Sequence, residues 1–196
     1  MRKAPTNTTE LGKLRIIGGQ WRGRKLSFPV ADGLRPTGDR IRETLFNWLA
    51  PEIEGAHCLD LFAGSGALGL EALSRGAASC TFIESNRLAA DAIQQQLTIL
   101  DCRRGEVVLA SASEWLQSAT KAFDVIFVDP PFQAGYYAQT LSLIAAQKCL
   151  APRGSLYFEC DTSNNDPIHT AFRETHDKRA GNTRYRLLEC TTTSHT

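Results

Sequence analysis

Three small stretches of the 196-residue chain have the residue types and spacing to do chemistry. The first, Gly64-Ser65-Gly66-Ala67-Leu68-Gly69, has the spacing G-x-G-x-x-G, with Asp60 four residues ahead of it. A glycine turn of this kind brings backbone amides up to a small ligand, because a Cβ would strike the ligand or forbid the turn. The second is Glu84, 20 residues after Gly64 and at the end of the apolar run Cys80-Thr81-Phe82-Ile83. An acid there suits the two ribose hydroxyls of an adenosine ligand. The third is Asp129-Pro130-Pro131-Phe132, at the end of Phe123-Asp124-Val125-Ile126-Phe127-Val128.

The glycines and Glu84 fit NAD and S-adenosylmethionine equally. Asp60 separates them. A carboxylate beside the turn repels a doubly charged pyrophosphate but suits a ligand bearing an ammonium and a sulfonium. Asp129-Pro130-Pro131-Phe132 fits methylation of an exocyclic amine on a nucleobase. The lone pair of such an amine is delocalised into the ring, so acceptors must be set against its hydrogens. The Asp129 carboxylate and the Pro130 carbonyl are those acceptors, the two prolines stiffen the loop, and Phe132 offers a face for the base. The plainer alternative is a rigid strand exit and a turn that only packs helix on strand.

Strands near 57–62, 79–84, 106–111, 123–129 and 155–160 must position these residues, with helices near 67–75, 86–100, 113–120 and 136–149. That alternation predicts a parallel sheet. Phe172 to Lys178 and Thr183 to Cys190 read as a terminal hairpin around Arg179-Ala180-Gly181-Asn182. A hairpin is also expected within Lys13 to Phe28. A helix follows, capped by Thr37 or Asp39, with Ile41, Leu45, Trp48 and Leu49 on its core face. On that reading Arg40, Arg42 and Asn47 are left to point elsewhere.

Asp129-Pro130-Pro131-Phe132 resembles the amino-methyltransferase motif, and Asp60 to Gly69 resembles that superfamily's cofactor loop. Arg15-Ile16-Ile17-Gly18-Gly19, Arg22-Gly23-Arg24-Lys25-Leu26, Leu34-Arg35-Pro36-Thr37 and Asp39 to Asn47 together resemble the RsmD family, over nearly the whole chain. The resemblance implies an α/β, Rossmann-like class I methyltransferase fold. Its sheet is mostly parallel and seven-stranded, ends in an antiparallel hairpin, and carries a small N-terminal β-hairpin extension. It implies an enzyme that methylates guanine N2 in 16S ribosomal RNA, acting on that RNA or on the small-subunit particle. Its cofactor is S-adenosylmethionine, held by Asp60, Phe62, Ala63, Gly64, Gly66, Glu84, Ser111 and Ala112. Asp129, Pro130, Pro131 and Phe132 are the catalytic group. The chain departs from the family at Ser111, where relatives tend to carry an Asp or Asn that reads adenine.

Composition bounds the rest. Hydrophobic residues at 42% and charged residues at 22% fit one globular domain. The six cysteines show no C-x-x-C, so reduced thiols and a cytoplasmic, metal-free protein are expected, with a monomer as default. No apolar run reaches membrane-spanning length. The net charge of +1 is unevenly spread: residues 1–43 hold ten Lys or Arg against four Asp or Glu, and the remainder twelve against seventeen. Arg15, Arg22, Arg24, Lys25, Arg35, Arg40 and Arg42 are therefore the expected RNA contacts. The divisions expected are a disordered 1–12, a basic extension over 13–50, a methyltransferase domain over 51–190 and a tail over 191–196. A DNA amino-methyltransferase, an NAD-dependent oxidoreductase and a non-catalytic RNA-binding assembly factor remain as alternatives.

Overall fold

The computed structural model describes residues 11–29, 38–131, 136–164 and 166–191. Its main sheet has the strand order β5-β4-β3-β6-β7-β9-β8. These are β3 (His57–Asp60), β4 (Ser79–Glu84), β5 (Gly105–Leu109), β6 (Phe123–Val128), β7 (Leu150–Asp161), β8 (Phe172–Ala180) and β9 (Thr183–Cys190). The first five are parallel, and β9 joins β7 and β8 antiparallel to both. A separate antiparallel pair, β1 (Leu11–Arg15) and β2 (Lys25–Pro29), forms the N-terminal hairpin. Residues 11 and 12, expected to be disordered, belong to β1, where Gly12 pairs with Phe28.

Period-two alternation sends each strand's side chains to two cores. Val125, Phe127, Tyr157, Tyr185 and Leu187 share one face with α1 (Asp39–Trp48), α2 (Ala67–Ser74) and α3 (Arg87–Ile99). Ile126, Val128, Leu156, Phe158 and Leu188 share the other with α4 (Ala112–Gln117) and α5 (Tyr136–Ala146). All six cysteines are free, and Cys58, Cys80 and Cys160 pack as small buried hydrophobes in strands. Among the described residues, no helix is long and apolar enough to cross a membrane.

Two boundaries depart from the sequence pattern. The first residue of β7 is Leu150, because Leu150 pairs with Phe123 ahead of the turn-like Pro152-Arg153-Gly154. At α1 the N-cap is Gly38, with no side-chain cap. Asp39 is instead drawn to Arg42 and Arg15, and Thr37 lies outside the described residues.

Candidate active site

The chain reverses its direction of travel across the sheet between β3 and β6, the place where open α/β sheets hold ligands beyond their carboxyl ends. Asp60 pairs with Phe82 on one side and Phe127 on the other. Glu84 and Asp129 each lie two residues further on, so three acids end three adjacent strands. The backbones of Glu84 and Asp129 are thus about 10 Å apart, two strand spacings, with Asp60 between and below them.

The glycines have separate tasks. Gly64 has φ +53° and Gly66 φ +75°, the left-handed region that the turn requires and that a side chain resists. The Gly66 N–H closes the turn on the Ala63 carbonyl at 2.6 Å, while the Ala63 N–H is held by the Ile83 carbonyl at 3.0 Å. Gly69 is different: a Cβ there would lie 2.2 Å from Phe82 Cε1 and 2.7 Å from Cys80 Sγ. It lets α2 approach β4, so the plain packing reading holds for this one glycine of the set.

Glu84 and Asp60 are both held by backbone N–H groups. Glu84 accepts the Gly64 N–H on Oε2 and the Asn86 N–H on Oε1, each at 2.7 Å. The carboxylate is thereby locked to the turn and to the start of α3, whose cap is the Asn86 side chain. Asp60 is 3% exposed and accepts the Gly69 N–H at 3.0 Å. Burial pushes its carboxyl up to about 7; the charges of Asp129 and Glu84 add to this, and the Gly69 bond opposes it. Phe62 meets Tyr136 edge-on at 6.2 Å, forming an aromatic wall beside Asp60.

Asp129 follows β6 directly and is half-buried; Pro130 is buried and Pro131 exposed. Phe132 lies outside the described residues, as does Arg35. The Ser111 hydroxyl takes part in a helix cap. Its Oγ donates to Glu114 Oε2 at 2.6 Å, and the Glu114 N–H returns to Ser111 Oγ at 3.3 Å. That capping box starts α4 at Ala112, which is buried, and takes the Ser111 N–H as well, which donates to Glu114 Oε2 at 3.3 Å.

The basic residues differ in exposure. Arg42, expected to point outward, is fully buried. Its guanidinium reaches Glu71 at 3.5 Å, the Arg15 carbonyl at 2.9 Å and Asp39 at 2.6 Å. The reason is Glu71, buried on α2, whose charge needs donors. It also accepts the Ile17 and Gly18 N–H groups, both at 2.8 Å, and Arg75 Nε at 2.8 Å. Arg15 is exposed and pairs with Asp39 at 3.3 Å. Arg22, Arg24, Lys25 and Arg40 are exposed. Trp21 is an anchor: half-buried, it donates its backbone N–H to Ser74 Oγ at 3.0 Å, and Arg104 lies over its ring at 5.9 Å.

One group escaped the sequence reading. Glu159, one residue past the Phe158 that pairs with Val128, stands beside Asp129 at the end of β7. It is 4% exposed and accepts the Tyr157 hydroxyl at 2.6 Å. Burial first, then Glu159 and Asp129, push the Tyr157 phenol up. A lone Glu in an apolar strand gives no local signal of this neighbour. Among the described residues, no cluster of three or more His, Cys, Asp or Glu has metal-holding geometry.

A family model described as conserved hypothetical protein 95 matches residues 14–189. Ribosomal RNA small subunit methyltransferase D of Escherichia coli (strain K12) is 47% identical over 184 residues, 93% of each chain. The protein of the same name from Haemophilus influenzae is 42% identical over 195 residues, 96% of this chain and 100% of its own. A solved structure from Escherichia coli, yhhF, superposes with a TM-score of 0.87 at 43% identity, covering 93% of this chain and 100% of that one.

Proposed function

Because this chain belongs to the conserved hypothetical protein 95 family, the RsmD family, we propose that it is an enzyme methylating the exocyclic N2 of a guanine in 16S ribosomal RNA. The observation that carries the reading is the convergence of Asp60, Glu84 and Asp129 at the ends of adjacent strands β3, β4 and β6. Three acids there oppose a pyrophosphate and favour a cationic adenosine ligand. S-adenosylmethionine fits on that ground, and when bound it supplies the methyl group.

Asp60, whose ionisation burial opposes, receives the cationic methionine end, with the Gly64 and Gly66 turn and Ala63 around it. Glu84, already oriented by two backbone amides, takes the ribose hydroxyls, and Phe62 packs alongside. With the Ser111 hydroxyl spent on its cap, the backbone near Ser111 and Ala112 meets the adenine. Asp129 and the Pro130 carbonyl accept the amine hydrogens, which pushes electron density onto N2 and aims it. Pro131 stiffens the loop and Phe132 stacks on an extruded base. The surplus proton leaves N2 on the side where the Asp129 carboxylate stands. The exposed Arg15, Arg22, Arg24, Lys25 and Arg40, with Arg35, supply positive potential to the RNA. Work on ribosomal RNA belongs to the cytoplasm.

The test is incubation of 16S RNA and small-subunit particles with methyl-labelled S-adenosylmethionine, then nucleoside analysis. N2-methylguanosine is expected. Label in another base, or tight NAD binding with none for S-adenosylmethionine, removes the reading.

A further inference from the structure

A lysine beside an aromatic stack stands level with the proposed catalytic loop, on the far edge of the sheet. The β8–β9 hairpin returns to the carboxyl edge of the sheet: Thr183 pairs with Asp161, and the Thr162 N–H donates to the Asn182 carbonyl at 2.9 Å. Strand pairing carries one row across it. Val128 pairs with Phe158, so Asp129 falls beside Glu159; Glu159 pairs with Tyr185, and Tyr185 with Lys178. Lys178 is therefore in the same cross-sheet row as Asp129, three strand spacings or about 14 Å away.

A bulge turns His176 and Lys178 to the α1 face. Glu174 pairs with Leu188, and the next paired residue is His176, opposite Leu187, so Thr175 is the extra residue. Its Oγ1 donates to the Leu187 carbonyl at 3.2 Å. Were Thr175 paired in register instead of bulged, strict alternation would send His176 and Lys178 to the α4–α5 face. With it, both lie on the α1 face against Trp48. The His176 ring stacks on Trp48 at 4.7 Å and 29°, and Tyr185 stacks on it at 5.6 Å and 28°. Lys178 Nζ stands 5.7 Å from the Trp48 ring centre. His176 and Lys178 are exposed and Trp48 is half-buried. Asp177, the neighbouring acid, points to the other face and is held by Arg184 Nη2 at 2.8 Å and Nε at 2.9 Å. Among the described residues Lys178 is in no ion pair.

We propose that Trp48, His176 and Lys178 form a docking surface for the single-stranded RNA flanking the target base, with Lys178 on a phosphate and the His176–Trp48 stack against a neighbouring base. This rests on the RNA reading above. A fixed aromatic stack beside a cation is what unpaired nucleotides bind. Its place in the Asp129 row lets one RNA strand reach both the catalytic loop and this edge. The occupant is RNA rather than a protein, because the surface pairs a cation with a stackable ring and, among the described residues, none of the exposed large hydrophobics lies on α1, β8 or β9.

The test uses the full chain with His176→Ala and Lys178→Ala combined, and Lys178→Arg as the charge-retaining control. Methyl transfer is measured on protein-free 16S RNA and on small-subunit particles across a salt series, beside calorimetry with S-adenosylmethionine and thermal melting. For the double variant, kcat/KM for RNA is expected to fall about five- to tenfold at low salt through KM. The slope of log affinity against log salt should drop by about one, with cofactor affinity and melting unchanged. Lys178→Arg should restore the slope. An active double variant with unchanged RNA affinity and slope overturns this surface alone. An effect on particles but not on protein-free RNA seats a ribosomal protein there and also overturns it. A wild-type chain that binds S-adenosylmethionine and methylates no RNA removes both readings together.

Discussion

The two hairpins at opposite ends of the chain look alike in sequence, each a pair of short strands rich in arginine and lysine around a glycine turn. The structure uses them in opposite ways. The N-terminal turn is docked at the amino-end side of the sheet: Gly19, Gln20 and Trp21 contact Ser74 at the last turn of α2, and Arg24 reaches the Ile99 carbonyl at the end of α3. Both helices descend from the catalytic edge, α3 over 13 residues, so Arg24 stands about 20 Å from it. The C-terminal turn stands at that edge itself. A count of charges therefore points to a polyanion without placing it, while the docking of each hairpin sets which charges lie near the carboxyl edge.

The edge proposed as catalytic is the reference for both hairpins. Asp129→Ala should lower turnover by about 10²-fold or more, with cofactor affinity within about twofold, in single-turnover assays beside calorimetry. A variant methylating at near wild-type rate would leave neither hairpin a catalytic centre to serve. Next in size is the buried root of the N-terminal extension. Arg42→Ala leaves Glu71 short of a charge partner in the core and should cost about 3 kcal/mol in denaturant unfolding, whereas the exposed Lys178→Ala should cost less than about 0.5 kcal/mol. Equal losses would erase the contrast between the two ends.

Asp60 gives a pH prediction. Its folded carboxyl is raised from 3.8 to about 7, so the protonated form is favoured below about pH 7. The stability it lends is fully present below its ordinary value and is lost as pH rises through about 7. A cationic ligand needs the ionised form, so affinity for S-adenosylmethionine should climb toward a plateau above pH 7, falling by up to about tenfold per unit below it. Calorimetry from pH 6 to 8 should show proton release on binding, and Asp60→Asn should flatten the profile. The smallest effect is expected at the N-terminal turn. Neutralising Arg22, Arg24 and Lys25 together should flatten the salt dependence of RNA binding while leaving kcat unchanged. Its loss in kcat/KM should be smaller than that of the His176 and Lys178 pair. The reverse order would move the flanking RNA to the N-terminal side.

The sequence by itself determined the alternation of strands and helices, the left-handed turn at Gly64 and Gly66, and the acids that end three strands. These follow from local rules: apolar runs set strands, φ above zero asks for glycine, and a strand's last residue faces the ligand edge whatever lies around it. The six residues from Phe123 to Val128 needed no partner to be read as a buried strand. Only the tertiary structure decided where charge ends up. Arg42 and Arg40 are two residues apart on one helix, yet one is buried against Glu71 and the other is exposed. That difference depends on an acid on α2, 29 residues on from Arg42. Gly69 matches a ligand-loop spacing but is required by the Phe82 ring. His176 and Lys178 owe their face to one unpaired residue, Thr175, and a register shift is invisible until a partner strand is present to count against. Such charges and facings are set by pairs of residues far apart in the chain, and no local pattern of residue types records which pairs will meet.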